Sequence, residues 1–299
     1  MLGAAFTKTK TVHNITYSNS SICDLRDRKE TLALFDKVKP DWVVHLAAKV
    51  GGIKANIEHM GEFYRDNILL NTNVLEASRL LGVQKVVSVL STCIYPDDVT
   101  YPLTENQIHQ GPPHSSNYAY AHAKRMIDVQ SRAYRKQYGC NFITAVPNNL
   151  FGENDNYHLN DSHVIPAIIH KMFLAKQKNE DVVLWGNGSP LREFTYSVDV
   201  AHILLFLLRR YDGESPINVG NPGEHSIKKI AELIAKYMNF KGSIIWDVSK
   251  PSGQHRKPSD NTKLMNLDPD PQIYTNFEKA LRESCEWFVK NYPNVRGCK

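Results

Sequence analysis

From Asp27 onward the chain alternates helix-period and strand-period stretches almost without a break, and this alternation constrains its fold more than any other property. Residues 27–39 place Leu32, Leu34, Phe35 and Val38 along one broad helical side, and 41–48 follow as a continuous apolar strand. The pattern repeats as helix 63–81, strand 85–91, helix 118–138, strand 141–147, helix 163–176, strand 182–185, helix 197–210, strand 217–219, helix 227–238 and strand 243–246, with a closing helix at 277–291. Apolar strands separated by helices are joined by crossovers and covered on both faces, so the expected class is α/β with a parallel sheet.

The N-terminal segment strains that reading. A doubly wound sheet of the Rossmann type opens on a strand and a Gly-rich turn, whose backbone amides hold a dinucleotide's pyrophosphate at a helix N-terminus. Here Gly3 is the only glycine before Gly51, and no apolar strand precedes it. Residues 11–17 are expected to form a strand and Cys23-Asp24-Leu25 the turn after it, which makes them the second unit of an N-terminally truncated sheet. The first ten or so residues and the last few are expected to lack order. The expected domains are 1–160, with 193–222 returning to it, and a smaller C-terminal α/β domain drawn mainly from 161–299.

A chain of 299 residues can bury a large core. The net charge of +5 comes from scattered Lys and Arg rather than a basic tract, which fits a phosphorylated small molecule and argues against nucleic acid. Five widely spaced cysteines, Cys23, Cys93, Cys140, Cys285 and Cys298, have no metal-site spacing and read as reduced thiols. The longest apolar run, residues 203–208, is far short of the ~20 residues needed to span a bilayer, and the start has no signal-peptide pattern. A cytoplasmic protein without a membrane partner is expected.

Chemistry is concentrated in two places. Tyr120 and Lys124, in Asn117-Tyr-Ala-Tyr-Ala-His-Ala-Lys-Arg125, sit four apart on a helix, so a phenol stacks beside an ammonium. A cation there is expected to favour the phenolate and make Tyr120 a proton donor near neutral pH. About 30 residues earlier the apolar strand stops at Ser91-Thr92-Cys93, bringing a hydroxyl and a thiol to a strand's carboxyl end, where open α/β sheets bind ligands.

With Ser162-His163-Val-Ile-Pro166 and Trp185-Gly-Asn-Gly-Ser-Pro-Leu-Arg192, these motifs resemble the GDP-L-fucose synthase family of the extended short-chain dehydrogenase/reductases, over residues 24–290. The serine and the Tyr/Lys pair mark the broad group; Cys93 and His163 narrow it. The resemblance implies an NADP(H)-dependent enzyme that converts GDP-4-dehydro-6-deoxy-D-mannose to GDP-L-fucose by 3,5-epimerisation and 4-keto reduction. It assigns Cys93 and His163 as the acid and base at carbons 3 and 5, Tyr120 as the proton donor at carbon 4, Ser91 as the partner of the carbonyl oxygen, and Lys124 as a ligand of the nicotinamide ribose. Thiol and imidazole suit the first task because they titrate near neutrality.

The same resemblance puts the cofactor against Ala47 and Ala48, Leu90 and Ser91, Lys124, Pro147, Asn148, Asn149 and Leu150, and His163. It assigns the GDP-sugar to Lys171, Trp185, Arg192 and Ser252, although the family's acidic residue near Ser252 is absent here. It also implies a homodimer through a four-helix seam built from 63–81 and 118–138. Two other readings stay open. A truncated chain that cannot hold the dinucleotide is favoured by the missing Gly-rich turn, and a related nucleotide-sugar 4-epimerase or dehydratase shares Ser91 with Tyr120 and Lys124.

Overall fold

The structure is a computed structural model that describes residues 1–250, 255–270 and 272–298. Its strands are β1 (Trp42–His45), β2 (Lys85–Val89), β3 (Phe142–Pro147), β4 (Asn149–Phe151), β5 (Val182–Trp185), β6 (Leu191–Tyr196), β7 (Ile217–Val219), β8 (Glu224–Ser226) and β9 (Ile244–Asp247). Its helices are α1 (Leu2–Ala5), α2 (Arg28–Val38), α3 (Ile53–Glu58), α4 (Met60–Leu80), α5 (Tyr118–Tyr138), α6 (Val164–Lys178), α7 (Ser197–Arg210), α8 (Ile227–Tyr237), α9 (Thr262–Met265) and α10 (Phe277–Asn291).

Four parallel strands make the main sheet in the order β1-β2-β3-β7, with Val43 opposite Val86, Val87 opposite Ile143 and Ala145 opposite Ile217. Period-2 alternation assigns neighbouring residues to opposite faces. Val86 joins Leu75, Ile127 and Phe142 in the core on one side, while Val87 joins Phe6, Val200 and Leu204 on the other. All five residues of β2 are buried, and each such aliphatic side chain contributes roughly 1.5–3 kcal/mol. The sheet is doubly wound, as its alternating sequence requires.

Two smaller sheets, β4-β6-β8 and β5-β9, sit with α6, α8 and α10 around a separate core that includes Ile165, Ile169, Phe194, Ile230 and Leu281. Local signals set the helix ends. The Asp27 carboxylate accepts from the amides of Lys29 and Glu30 to start α2, and Gly139, at a φ of 71°, ends α5 in a conformation that costs a glycine little.

Three expectations fail. Residues 11–17 form no strand: Val12 is 96 % exposed and His13 packs on the Trp42 ring at 5.0 Å, with no sheet edge paired to the segment. Strand propensity is realised only against a neighbour. The first residues, expected to be loose, form α1, because Ala5 and Phe6 are each 5 % exposed and pack on α7. The strand expected over 41–48 stops at His45, since the Asn67 side chain takes both the amide and the carbonyl of Lys49 and draws the chain toward α4. The short elements α3, α9, β4, β6 and β8 have no clear signature in the sequence.

Candidate active site

The carboxyl ends of β1, β2 and β3 lie side by side in the sheet, so the segments that follow them share one edge. After β2, Leu90 remains in the core at 3 % exposure and Ser91 caps a single 3₁₀ turn, Thr92–Ile94, its Oγ accepting from the Cys93 amide at 3.5 Å. Helix α5 packs behind this turn. Its Lys124, 2 % exposed, donates from Nζ to the Val89 carbonyl at 2.9 Å, and its Tyr120 ring stands edge-on to Phe63 at 6.4 Å. Ser91, Cys93, Tyr120 and Lys124 therefore meet at one strand end.

The electrostatics differ from the expectation in one respect. Burial, with a smaller push from the Cys93 charge, drives the Tyr120 phenol well above its ordinary range, and Lys124 is not among the charges acting on it. The ammonium is occupied by the strand carbonyl, and burial lowers its own pKa to about 8. Tyr120 is thus held as a protonated phenol at neutral pH, a donor rather than a ready phenolate. Burial also raises Cys93, opposed by Ser91, Lys257 and Lys124.

His163 begins α6 through its backbone, but its imidazole makes no cap hydrogen bond and is exposed. Its loop runs past β1's extension, where a Cβ on Gly52 would lie 3.6 Å from the Asp161 backbone. Asp155, 5 % exposed, has an Oδ2 without a hydrogen-bond partner among the described residues, and His163 is one of the charges that act on it. No local pattern in the sequence marked that carboxylate.

Of the positions expected to meet the sugar nucleotide, Trp185 is 62 % exposed at the end of β5, not a core residue, and the Lys171 Nζ lies over its ring at 5.7 Å. Arg192, on β6, is half-buried, its Nη1 on the Leu191 carbonyl at 2.7 Å. Ser252 lies outside the described residues.

The positions expected to line the cofactor divide by role. Ala47 and Ala48 are half-buried beyond β1, Pro147 is buried, Asn149 is exposed and Leu150 is half-buried. The Asn148 side chain is spent on protein partners: Nδ2 donates to Glu193 and to the Asn221 carbonyl, and Oδ1 accepts from Thr195 at 2.6 Å. It braces β3 against β6. The nicotinamide-ribose end of a dinucleotide fits the donors present, because the buried Lys124 ammonium has three N–H groups and, among the described residues, one hydrogen bond.

Comparison with known proteins places this geometry. The model of the NAD dependent epimerase/dehydratase family matches residues 4–220. The chain belongs to that family. Within it, GDP-L-fucose synthase of Dictyostelium discoideum is 49 % identical over 282 residues, covering 94 % of this chain and 88 % of the relative. GDP-L-fucose synthase of Sinorhizobium fredii is 41 % identical over 269 residues, covering 90 % and 85 %. The crystal structure of a GDP-L-fucose synthetase from Naegleria fowleri bound to NADP superposes with a TM-score of 0.93 at 38 % identity, covering 99 % of this chain and 92 % of that one. The epimerase/dehydratase fold therefore extends along nearly the whole chain.

Proposed function

We propose that the chain makes GDP-L-fucose from GDP-4-dehydro-6-deoxy-D-mannose, inverting carbons 3 and 5 and reducing the ketone at carbon 4 with NADPH. The observation that carries this reading is the meeting of Ser91, Cys93, Tyr120 and Lys124 at the end of β2 in a chain 49 % identical to a GDP-L-fucose synthase. The neighbours in sequence bear that name, which favours this reading over a 4-epimerase or dehydratase.

The ketone at carbon 4 acidifies the hydrogens on carbons 3 and 5. Cys93 and His163, one on each side of the sugar, exchange protons at those centres through enolates. The Ser91 hydroxyl donates to the carbonyl oxygen and fixes the sugar for reduction. NADPH, when bound, supplies the hydride for carbon 4. Tyr120 then gives its phenolic proton to the resulting oxygen, and its raised pKa keeps that proton in place until the oxyanion forms. Lys124 would hold the nicotinamide ribose, with His163 and the strand-end segments Ala47–Ala48, Leu90–Ser91 and 147–150 lining the rest of the cofactor.

The same reading gives residues 1–160 with 193–222 to the cofactor and 161–299 mainly to the sugar nucleotide. Trp185 stacks on guanine, Arg192 clamps the diphosphate, and Lys171 supports both. The long helices α4 and α5 carry exposed Tyr64, Leu69, Tyr118 and Val129, in keeping with a homodimer through a four-helix seam. Among the described residues no helix is long and apolar enough to cross a membrane, which agrees with a cytoplasmic site of action.

Incubating the purified chain with GDP-4-dehydro-6-deoxy-D-mannose and NADPH is expected to give GDP-L-fucose with one NADPH oxidised per product. Saturable NADPH binding without turnover of this sugar nucleotide would overturn the substrate; no saturable binding would overturn the enzyme. Light scattering that shows only monomer would remove the seam.

A further inference from the structure

Arg125 is one residue beyond Lys124, and its environment is unusual for a guanidinium. It is 5 % exposed. Its Nε donates to the Ile94 carbonyl and its Nη1 to the Gly111 carbonyl at 2.7 Å, while its Nη2 is buried without a hydrogen-bond partner among the described residues. Ile94 is the residue next to Cys93, so this side chain grips the turn that carries the thiol. Burying a guanidinium away from any carboxylate is costly, and such charges are ordinarily paired.

Lys257 reaches the same place from another element. Its segment is strapped across the site by the Leu191 amide on the His255 carbonyl at 2.8 Å, the Leu103 amide on the Pro258 carbonyl at 2.9 Å, and the Ser259 amide on the Glu193 carboxylate at 3.1 Å. The side chain is half-buried. The charges acting on it are Cys93, the like charge of Arg192, and Asp97, whose carboxyl is 52 % exposed.

The groups whose charges interact with Cys93 are thus Tyr120, Lys124 and Arg125 from α5 and Lys257 from the strap, with the Ser91 hydroxyl bonded at its own turn. Three are cations, and among the described residues none of them is paired with a buried carboxylate. In such a setting, with only the exposed Asp97 carboxylate acting on Lys257, the thiol is the half-buried group placed to supply a compensating negative charge among the described residues.

We propose that Arg125 and Lys257 are positioning residues for Cys93, supplying from two separate elements the positive charge that lets the thiol ionise at the moment it exchanges a proton with the sugar. The inference rests on the reading that Cys93 is one of the two proton-exchanging groups. Burial alone would keep the thiol protonated; the two cations oppose burial without occupying the position of the sugar hydrogen.

The test is the pH dependence of Cys93 alkylation by iodoacetamide, followed by peptide mass spectrometry with Cys23, Cys140, Cys285 and Cys298 as internal references. Arg125→Met and Lys257→Met are each expected to raise the midpoint for Cys93 by about one pH unit, the scale of a neighbouring opposite charge, while Arg125→Lys stays near wild type. Wild-type midpoints in both Met variants would overturn the proposal. A shift in Arg125→Lys as large as in Arg125→Met would overturn it for Arg125, leaving only a grip on the turn. If Arg125→Met does not fold, Lys257→Met decides alone, because its ammonium has no hydrogen-bond partner among the described residues, and an unchanged midpoint there overturns the proposal. Alkylation needs neither sugar nor cofactor, so an inactive chain with the expected shifts would defeat the proposed function while leaving the charge coupling of Arg125 and Lys257 to Cys93 in place.

Discussion

The two walls of the site are built differently. The wall made by the end of β2 and by α5 is dense: Lys124 and Arg125 are 2 % and 5 % exposed, and Cys93 and Tyr120 are half-buried and raised by burial. The wall made by β5, β6 and α6 is open, with Trp185 62 % exposed and the His163 imidazole free of any cap bond. A group proposed to donate a proton must hold its geometry before the reaction, and Tyr120 stands on a helix that Lys124 ties to the sheet. Groups that recognise a large polar nucleotide can remain solvated until the nucleotide arrives. On the proposed function, chemistry is built into the core side and recognition is laid on top of it.

The comparison is broken most severely by removing a group that moves a proton. Cys93→Ser or His163→Gln is expected to slow hydrogen exchange at carbons 3 and 5 by about 10²–10⁴-fold, measured by mass spectrometry of the sugar in deuterated buffer. Equal effects would show that an exposed imidazole and a half-buried thiol contribute alike. A loss confined to Cys93→Ser would restrict the exchange chemistry to the dense wall.

The dense wall should also make stability depend on pH. His45, at the end of β1, is 3 % exposed with its Nε2 2.8 Å from the Asn71 Oδ1, and burial, then Lys124, lowers its pKa from 6.5 to about 4. The unfolded chain therefore binds the proton more readily between those values. Its contribution, roughly 3 kcal/mol, is fully present above pH 6.5 and is lost as the pH falls toward 4. Denaturant titrations of wild type and His45→Gln should show the variant with the flatter pH profile in that window. Identical profiles would mean that His45 is not the group responsible.

The open wall should show smaller effects, felt in binding. Arg192→Ala is expected to raise the KM for the sugar nucleotide by about 10–100-fold, the worth of a hydrogen bond to a charged group, with kcat little changed. Trp185→Ala should cost about 1 kcal/mol in the same measurement, since one exposed stacking face is lost. A fall in kcat for either variant would blur the division between the walls.

Legibility in the sequence follows the same line. Continuous apolar runs such as Lys85–Val89 are visible because both faces of the strand are buried, and Tyr118–Tyr138 is visible because one helical face is. Leu191–Tyr196 was hidden because its Arg192 and Glu193 are polar for reasons of site and bracing rather than surface. Ser91, Cys93, Tyr120 and Lys124 stand close enough in sequence to form motifs. Arg125, Asp155, Glu193 and Lys257 do not, because their partners arrive from segments that only packing brings near. The expected effect of Lys124 on Tyr120 failed for a related reason: spacing gives proximity, but the Val89 carbonyl decides where the ammonium points.

The central claim is that the half-buried phenol of Tyr120 delivers the last proton while separate groups invert the two neighbouring carbons. Tyr120→Phe, given sugar nucleotide and NADPH in deuterated buffer, tests it most directly. The expected result is deuterium entering carbons 3 and 5 at the wild-type rate while NADPH oxidation falls by about 10²–10⁴-fold. NADPH oxidation at the wild-type rate would contradict it.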